Sequence, residues 1–192
     1  ASDVYKRQVE ELDSYFAQAQ EGMNLMVTDI NVQNAIDDYV TGTYKERLDL
    51  RDFIRNRLTN MSTVGRRTGA ISIYIKEADK TFSRDFSDKD LSAACAGAPW
   101  FEALLAGDTS FVREDGDSLQ DGRPVWILAS NIVSVKNGEV QGLVYVELDK
   151  QKMIQPFYDL VEGSGDEIIC SGNEIISDTC LLYTSPSPRD ST

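Results

Sequence analysis

The sequence predicts an α+β fold, in which long helices precede an antiparallel sheet that has a helix inserted in it. Three observations carry this expectation. Apolar residues near the start recur at helical steps. After Gly65-Arg66-Arg67-Thr68-Gly69 the period falls to two. Asn137-Gly138 then separates two apolar runs, the strongest short-range hairpin signal there is.

Residues 9–30 place Val9, Leu12, Phe16, Ala19, Met23, Met26 and Ile30 three or four positions apart, with Gly22 the weak point of the stripe. A seam of this kind packs a helix on its own domain or pairs it with a second copy, and the sequence leaves both open. Thr41-Gly42-Thr43 separates it from a helix over 44–58, with Tyr44, Leu48, Phe53, Ile54 and Leu58 on one side and Thr43 as its cap. Asp37 and Asp38 read as a solvated helix face.

Residues 70–76 form a strand, Ala78-Asp79 a turn, and 80–83 the returning strand. Residues 88–106 are mostly helical, broken at Gly97-Ala98-Pro99. Asp88 or Ser92 caps the first part, and Pro99 opens a second helix, 100–105, that stops at Gly107. A strand over 110–113 leads to a polar loop, 114–122. Strands 125–135 and 139–148 flank Asn137-Gly138. A helix over 150–161 then connects, through the linker 162–166, to a new hairpin around Gly172-Asn173.

In the last complete strand Val144, Val146 and Leu148 face one way, and Leu143 and Tyr145 the other. Both faces therefore need cover: one from the long helix, the other from the 88–105 segment and its neighbouring loops. A sheet roofed in this way is a natural place for a small pocket.

The chain has 19 basic and 32 acidic residues among 192, a net charge of −13. That balance argues against nucleic acid and anionic membrane surfaces as partners. There is no histidine, which removes Ser-His and Cys-His catalysis and imidazole metal sites. No Gly-rich phosphate loop, Cys-x-x-Cys or convincing nucleophile is present, so the sequence predicts no enzyme, no cofactor and no metal site. Asp115-Gly116-Asp117 with Asp121-Gly122 lacks the spacing and closing glutamate of a calcium loop and reads as an acidic turn. Cys95 and Cys170 read as two buried thiols. No run of about 18 apolar residues occurs.

The candidate ligand site gathers Trp100, Trp126, Tyr145, Arg123, Phe101 and Tyr74. Aromatic walls with one guanidinium suit a small carboxylate, the arginine forking to the acid. The alternative is that Trp126 and Tyr145 are core and Arg123 is a surface turn residue.

The ends read differently. Residues 3–8, Asp-Val-Tyr-Lys-Arg-Gln, are encoded by GAT GTG TAT AAG AGA CAG. The opposite strand of that stretch, shifted by one base, encodes Cys180-Leu181-Leu182-Tyr183-Thr184-Ser185. Both resemble the mosaic end of a transposase used in preparing sequencing libraries. Residues 1–8 and 180–192 are therefore expected to be adaptor-derived, and 9–179 to be an internal piece of a longer protein.

The whole pattern resembles a Cache domain, the PAS-like extracytoplasmic sensing module of bacterial transmembrane receptors. The matching features are the long first helix, the strand pair over 71–83, and Pro99-Trp100-Phe101-Glu102-Ala103-Leu104-Leu105-Ala106-Gly107. The strand over 126–135, and the run from Gly138 through Gly142 to Glu147-Leu148-Asp149, complete the likeness. The resemblance implies N-terminal helices over 9–60, a membrane-distal PAS-like unit over 61–149 and a connecting helix over 150–161. It further implies the truncated start of a membrane-proximal unit over 162–179. It implies a small ligand in the membrane-distal unit, a membrane-anchored parent, a possible homodimer through the first helix, and an output domain of the histidine-kinase type, with a methyl-accepting chemoreceptor or a cyclic-dinucleotide enzyme as the alternatives. The family's amino-acid-binding subset has an arginine two positions before the tryptophan and a tyrosine after it. Ala98 and Phe101 stand there in this chain, so the likeness does not extend to that subset's usual contacts. The alternative reading is a dimerisation or interaction module that binds no ligand.

Overall fold

The computed structural model describes residues 2–61, 68–84 and 90–164. The elements are α1 (Ser2–Val27), α2 (Ile30–Thr41), α3 (Tyr44–Met61), β1 (Thr68–Ile75), β2 (Lys80–Ser83), α4 (Leu91–Ala94), α5 (Pro99–Ala106), β3 (Phe111–Asp117), β4 (Pro124–Val133), β5 (Val140–Asp149) and α6 (Lys150–Ser164). The expected hairpin around Gly172-Asn173, Cys170 and the Asp88 cap lie outside the described residues.

The chain divides into two compact units. The first comprises Ala1–Ser14 and Lys150–Thr192. Within it the Tyr5 ring meets Phe157 edge-on at 6.4 Å. Residues 2–8, set aside above as adaptor-derived, are helical and continue α1. The second unit, Tyr15–Asp149, holds the sheet.

The stripe on α1 buries Leu12, Ala19, Met23 and Met26, as its spacing predicts. The helix stops short of Ile30, however. Thr28 turns its hydroxyl onto the Asn24 carbonyl, and Asp29 accepts from the Asn31 amide as the N-cap of a new helix. Ile30 thereby leaves the stripe and is exposed. A side chain that competes for backbone groups ends a helix that apolar spacing alone would continue. At α3 the cap is the expected one: Thr43 and Glu46 form a reciprocal box. Ile54 and Leu58 are fully buried, while Tyr44 lies outside the core.

All strand pairs are antiparallel, in the order β2-β1-β5-β4-β3. With helices grouped before and within it, the sheet makes a PAS-like α+β fold. β5 is central, pairing with β1 on one side and β4 on the other. Its side chains are buried on both faces from Leu143 to Leu148. One face carries Ile71, Ile73, Val144, Val146, Leu148, Leu128 and Trp126. Phe16 of α1 covers Trp126, and Tyr39 of α2 meets Phe82 on the same side. The other face carries Tyr74, Leu143, Tyr145, Ala129, Ile127 and Val125 beneath Leu91, Cys95, Phe101 and Leu104 of the α4–α5 segment.

Three local differences from the sequence expectation matter. β3 runs on through Asp117, because β4 is long enough to keep pairing with it, so the polar loop shrinks to 118–123. Asp115 and Asp117 are thus strand residues. The α4 cap is Asp90, which accepts from the Ala93 amide, while Ser92 donates to the same carboxylate. The β4–β5 connection spans 134–139 and is not a two-residue turn. Only Gly138 has positive φ (73°), Asn137 caps the Glu139 amide, and the register shifts between Ile132 and Val133. Asp37 is also less solvated than expected, since it accepts a hydrogen bond from Gln141.

Gly142 sits where β5 passes closest to β1: a Cβ there would strike the Tyr74 carbonyl. Gly138 has open space around it and only its dihedral to lose. Gly142→Ala should therefore cost about 3 kcal/mol, and Gly138→Ala about 1 kcal/mol. Urea unfolding of the two variants checks the order. Equal costs would show that β5 can shift away from β1 freely.

Candidate functional site

The face of the sheet turned from α1 is floored by small and aromatic side chains and roofed by α4 and α5. Each roof element is positioned by an identifiable contact. Thr81 accepts the first amide of α4, from Leu91, at 3.1 Å. Pro99 occupies the first turn of α5, and Gly107 closes it in the left-handed conformation (φ 81°). Asn131, buried on β4, donates to the carbonyls of Leu104 and Thr109 at 3.1 and 3.0 Å and fixes the far end of the roof. Lys76 reaches the Leu105 carbonyl at 3.1 Å.

Four of the six residues singled out in the sequence meet beneath this roof. Tyr74 and Phe101 lie 5.5 Å apart between ring centroids, Phe101 and Trp100 5.9 Å, and Trp100 and Tyr145 6.5 Å in a nearly parallel stack. Such offset and edge arrangements are the favoured aromatic geometries. Trp100 is only half-buried, whereas Phe101, Tyr74 and Tyr145 are buried.

The other two are not part of the cluster. Trp126 lies on the opposite face, its ring 5.1 Å from Phe16. The physical reason is register. A two-residue Asn137-Gly138 turn would set Trp126 opposite Asp149, on the side of Tyr145. The longer connection and the shift near Val133 set it opposite Leu148 instead. A one-residue slip exchanges the faces of a strand. Arg123 is exposed and turned outward, its guanidinium 2.6 Å from Asp121 and 3.8 Å from Asp149.

One residue on this face was missed: Glu147, which is wholly buried. Its carboxylate accepts from the Tyr145 hydroxyl at 2.7 Å, the Ser118 hydroxyl at 2.7 Å and the Leu119 amide at 2.9 Å. The signal was available. Glu147 stands two positions after Tyr145 in a strand buried on both sides, so it had to point inward and find donors.

The electrostatics follow from burial. Desolvation, and then the neighbouring Glu147 charge, push the Tyr145 phenol far above its ordinary range. Desolvation and its bond to Asp79 raise Tyr74 to about 12. Burial, with Glu147 second, raises the Cys95 thiol to about 11. Each stays neutral at physiological pH. The face is thus an apolar and aromatic core cluster, with the Glu147 carboxylate buried at its edge and held by neutral groups.

An open cleft of about 980 Å³ lies elsewhere, bordered by Asp37, Lys76, Glu77, Leu105, Glu139 and Gln141. No described helix is long and apolar enough to cross a membrane.

Raised pKa values of acids that are neutral when folded have a definite sign. Below the unfolded value near 10 both states of Tyr145 are protonated and nothing depends on pH. Above it the unfolded chain ionises first, so stability falls as pH rises. Tyr145→Phe should be the less stable protein at pH 8, having lost a donor to a buried carboxylate. Above pH 10 its deficit should narrow, by up to about 1.4 kcal/mol per pH unit. Urea midpoints between pH 8 and 11.5 measure this. A gap that stays constant would show that the phenol ionises freely in the folded protein.

The sequence matches no protein-family model, and no curated protein aligns with it. Its fold does match solved structures. One is the sensor domain of the Vibrio cholerae histidine kinase DctB, at TM-score 0.56 and 12% identity, covering 79% of this chain and 57% of that one. Another is the ligand-binding domain of the Pseudomonas aeruginosa amino-acid chemoreceptor PctC in complex with GABA, at TM-score 0.57 and 10% identity, covering 85% and 66%. The chain thus spans about three fifths of the length of these domains. Sheet order, roof and structural likeness agree: the chain has the PAS-like, Cache-type fold found in the sensor domains of bacterial receptors.

Proposed function

We propose that this chain is an extracytoplasmic, small-molecule-sensing domain of a bacterial signal-transduction receptor and is not itself an enzyme. The observation that carries this reading is the roofed aromatic face: Tyr74, Trp100, Phe101 and Tyr145 converge there beside a buried Tyr145–Glu147 pair. The fold shared with receptor sensor domains supports it. The ligand is a small molecule with an apolar body, seated against those four rings in the unit over 61–149.

Two of the six candidate residues have other partners. Arg123 already pairs with Asp121 and Asp149, and Trp126 is covered by Phe16, so neither is assigned to the ligand. A carboxylate ligand accordingly loses its expected fork. The parent protein is membrane-anchored, and the helices pass the binding event to an output domain of the histidine-kinase type. Pairing with a second copy through the first helix is compatible with the same chain.

A thermal-shift screen over amines, carboxylates, amino acids and small aromatics tests the reading. A ligand that binds only the folded state, at a hundred times its dissociation constant, stabilises by about 2.7 kcal/mol. Trp100→Ala should abolish the shift from a hit, whereas Trp126→Phe should lower the starting stability and keep the shift. A library that leaves the melting temperature unmoved would overturn ligand sensing, and a shift that survives Trp100→Ala would overturn the placement.

A further inference from the structure

The connection between β3 and β4, residues 118–123, is tied down at two depths. Inside, Ser118 and Leu119 supply two of the three donors to Glu147. Leu119 packs on the apolar cluster that contains Tyr145 and Cys95. Outside, Arg123 spans Asp121 and Asp149 at the end of β5.

The connection is also bonded within itself. The Ser118 amide donates to the Arg123 carbonyl at 2.7 Å, and the Gly122 amide to the Ser118 carbonyl at 2.9 Å. The Asp121 carboxylate accepts from the Arg123 amide at 3.1 Å. The connection is therefore braced as one piece between the ends of β3 and β4.

The energetics make this more than a tidy loop. Glu147 is a buried charge whose partners are all neutral. Lifting the connection would strip two donors from a desolvated carboxylate, which is costly unless others replace them. The exposed pair of Arg123 with Asp121 gives little by comparison.

We propose that residues 118–123 form a latched lid over the aromatic face, with Glu147 as the catch. In the closed state Ser118 and Leu119 hold the lid down. It opens when their places on Glu147 are taken by other donors, water included, and opening uncovers the side of the cluster that contains Tyr145 and Cys95. This rests on the reading of that face as the ligand site, but lid motion is measurable without any ligand.

Cys95 is the reporter, since it is buried in the same cluster. Its labelling rate with a small maleimide is measured in a chain carrying Cys170→Ser and Cys180→Ser. Ser118→Ala removes one latch bond. It should speed labelling about tenfold, the population change expected for losing a hydrogen bond to a charged group. Hydrogen exchange at the Leu119 amide should quicken with it, while exchange in the centre of β5 stays slow. Val32→Ala, in the helical layer, controls for general loss of stability. An unchanged rate in Ser118→Ala, or equal acceleration by Val32→Ala, overturns the lid. If the lid opens as expected and no compound binds, the ligand reading fails alone. If a compound binds and the lid test fails, the lid alone is wrong.

Discussion

The structure depends on the register of one strand. β5 is hydrogen-bonded along its length to β1 and β4, and it is buried on both faces. Parity along it decides which residues the first helices cover and which the roof covers. Val144, Val146 and Leu148 go one way, and Leu143, Tyr145 and Glu147 the other. Everything on the roofed side follows from that alternation, including the aromatic stack and the buried carboxylate. Gly142 is the point where the strand is pinned, since nothing larger fits under the Tyr74 carbonyl.

Glu147 shows how such a strand tolerates a charge. A carboxylate in an apolar interior is expensive unless its oxygens are filled. Here a phenol, a hydroxyl and a backbone amide fill them. Two of those donors come from a connection far away in sequence, so the buried charge ties the β3–β4 connection to β5. Burial, with that charge second, raises its neighbours Tyr145 and Cys95, which keeps both of them neutral.

Most of the fold was legible because it rests on local periodicity. The α1 stripe, the 44–58 helix with its Thr43 cap, the Pro99 start, the Gly107 stop and the alternation in β5 were all readable from spacing. What was not legible depended on pairing between segments. Asn137-Gly138 suggested a tight hairpin, and a tight hairpin would have put Trp126 with Tyr145. The six-residue connection and the register shift put it with Phe16. The length of β3 depended likewise on how far β4 could accompany it. Arg123 was a matter of side-chain competition, since an aspartate two residues away claims it first. Glu147 is the instructive omission. Its inward direction was written in the alternation already used for Tyr145, but a glutamate in a strand is readily read as solvated.

The strand order also governs when the sheet can exist at all. β1 has only the four-residue β2 beside it until β5 arrives, some seventy residues later. During synthesis the Ile71, Ile73 and Ile75 ridge and one whole edge of β1 therefore wait unpaired. Contacts separated this far in sequence form slowly, and an apolar edge left open meanwhile invites pairing with other chains. In the finished sheet the borders are β2, which is short and largely buried, and β3, whose exposed residues include Glu114, Asp115 and Asp117. The vulnerable edge is the one that ends up in the middle. For this sheet the hazard is concentrated in the interval before β5 is made.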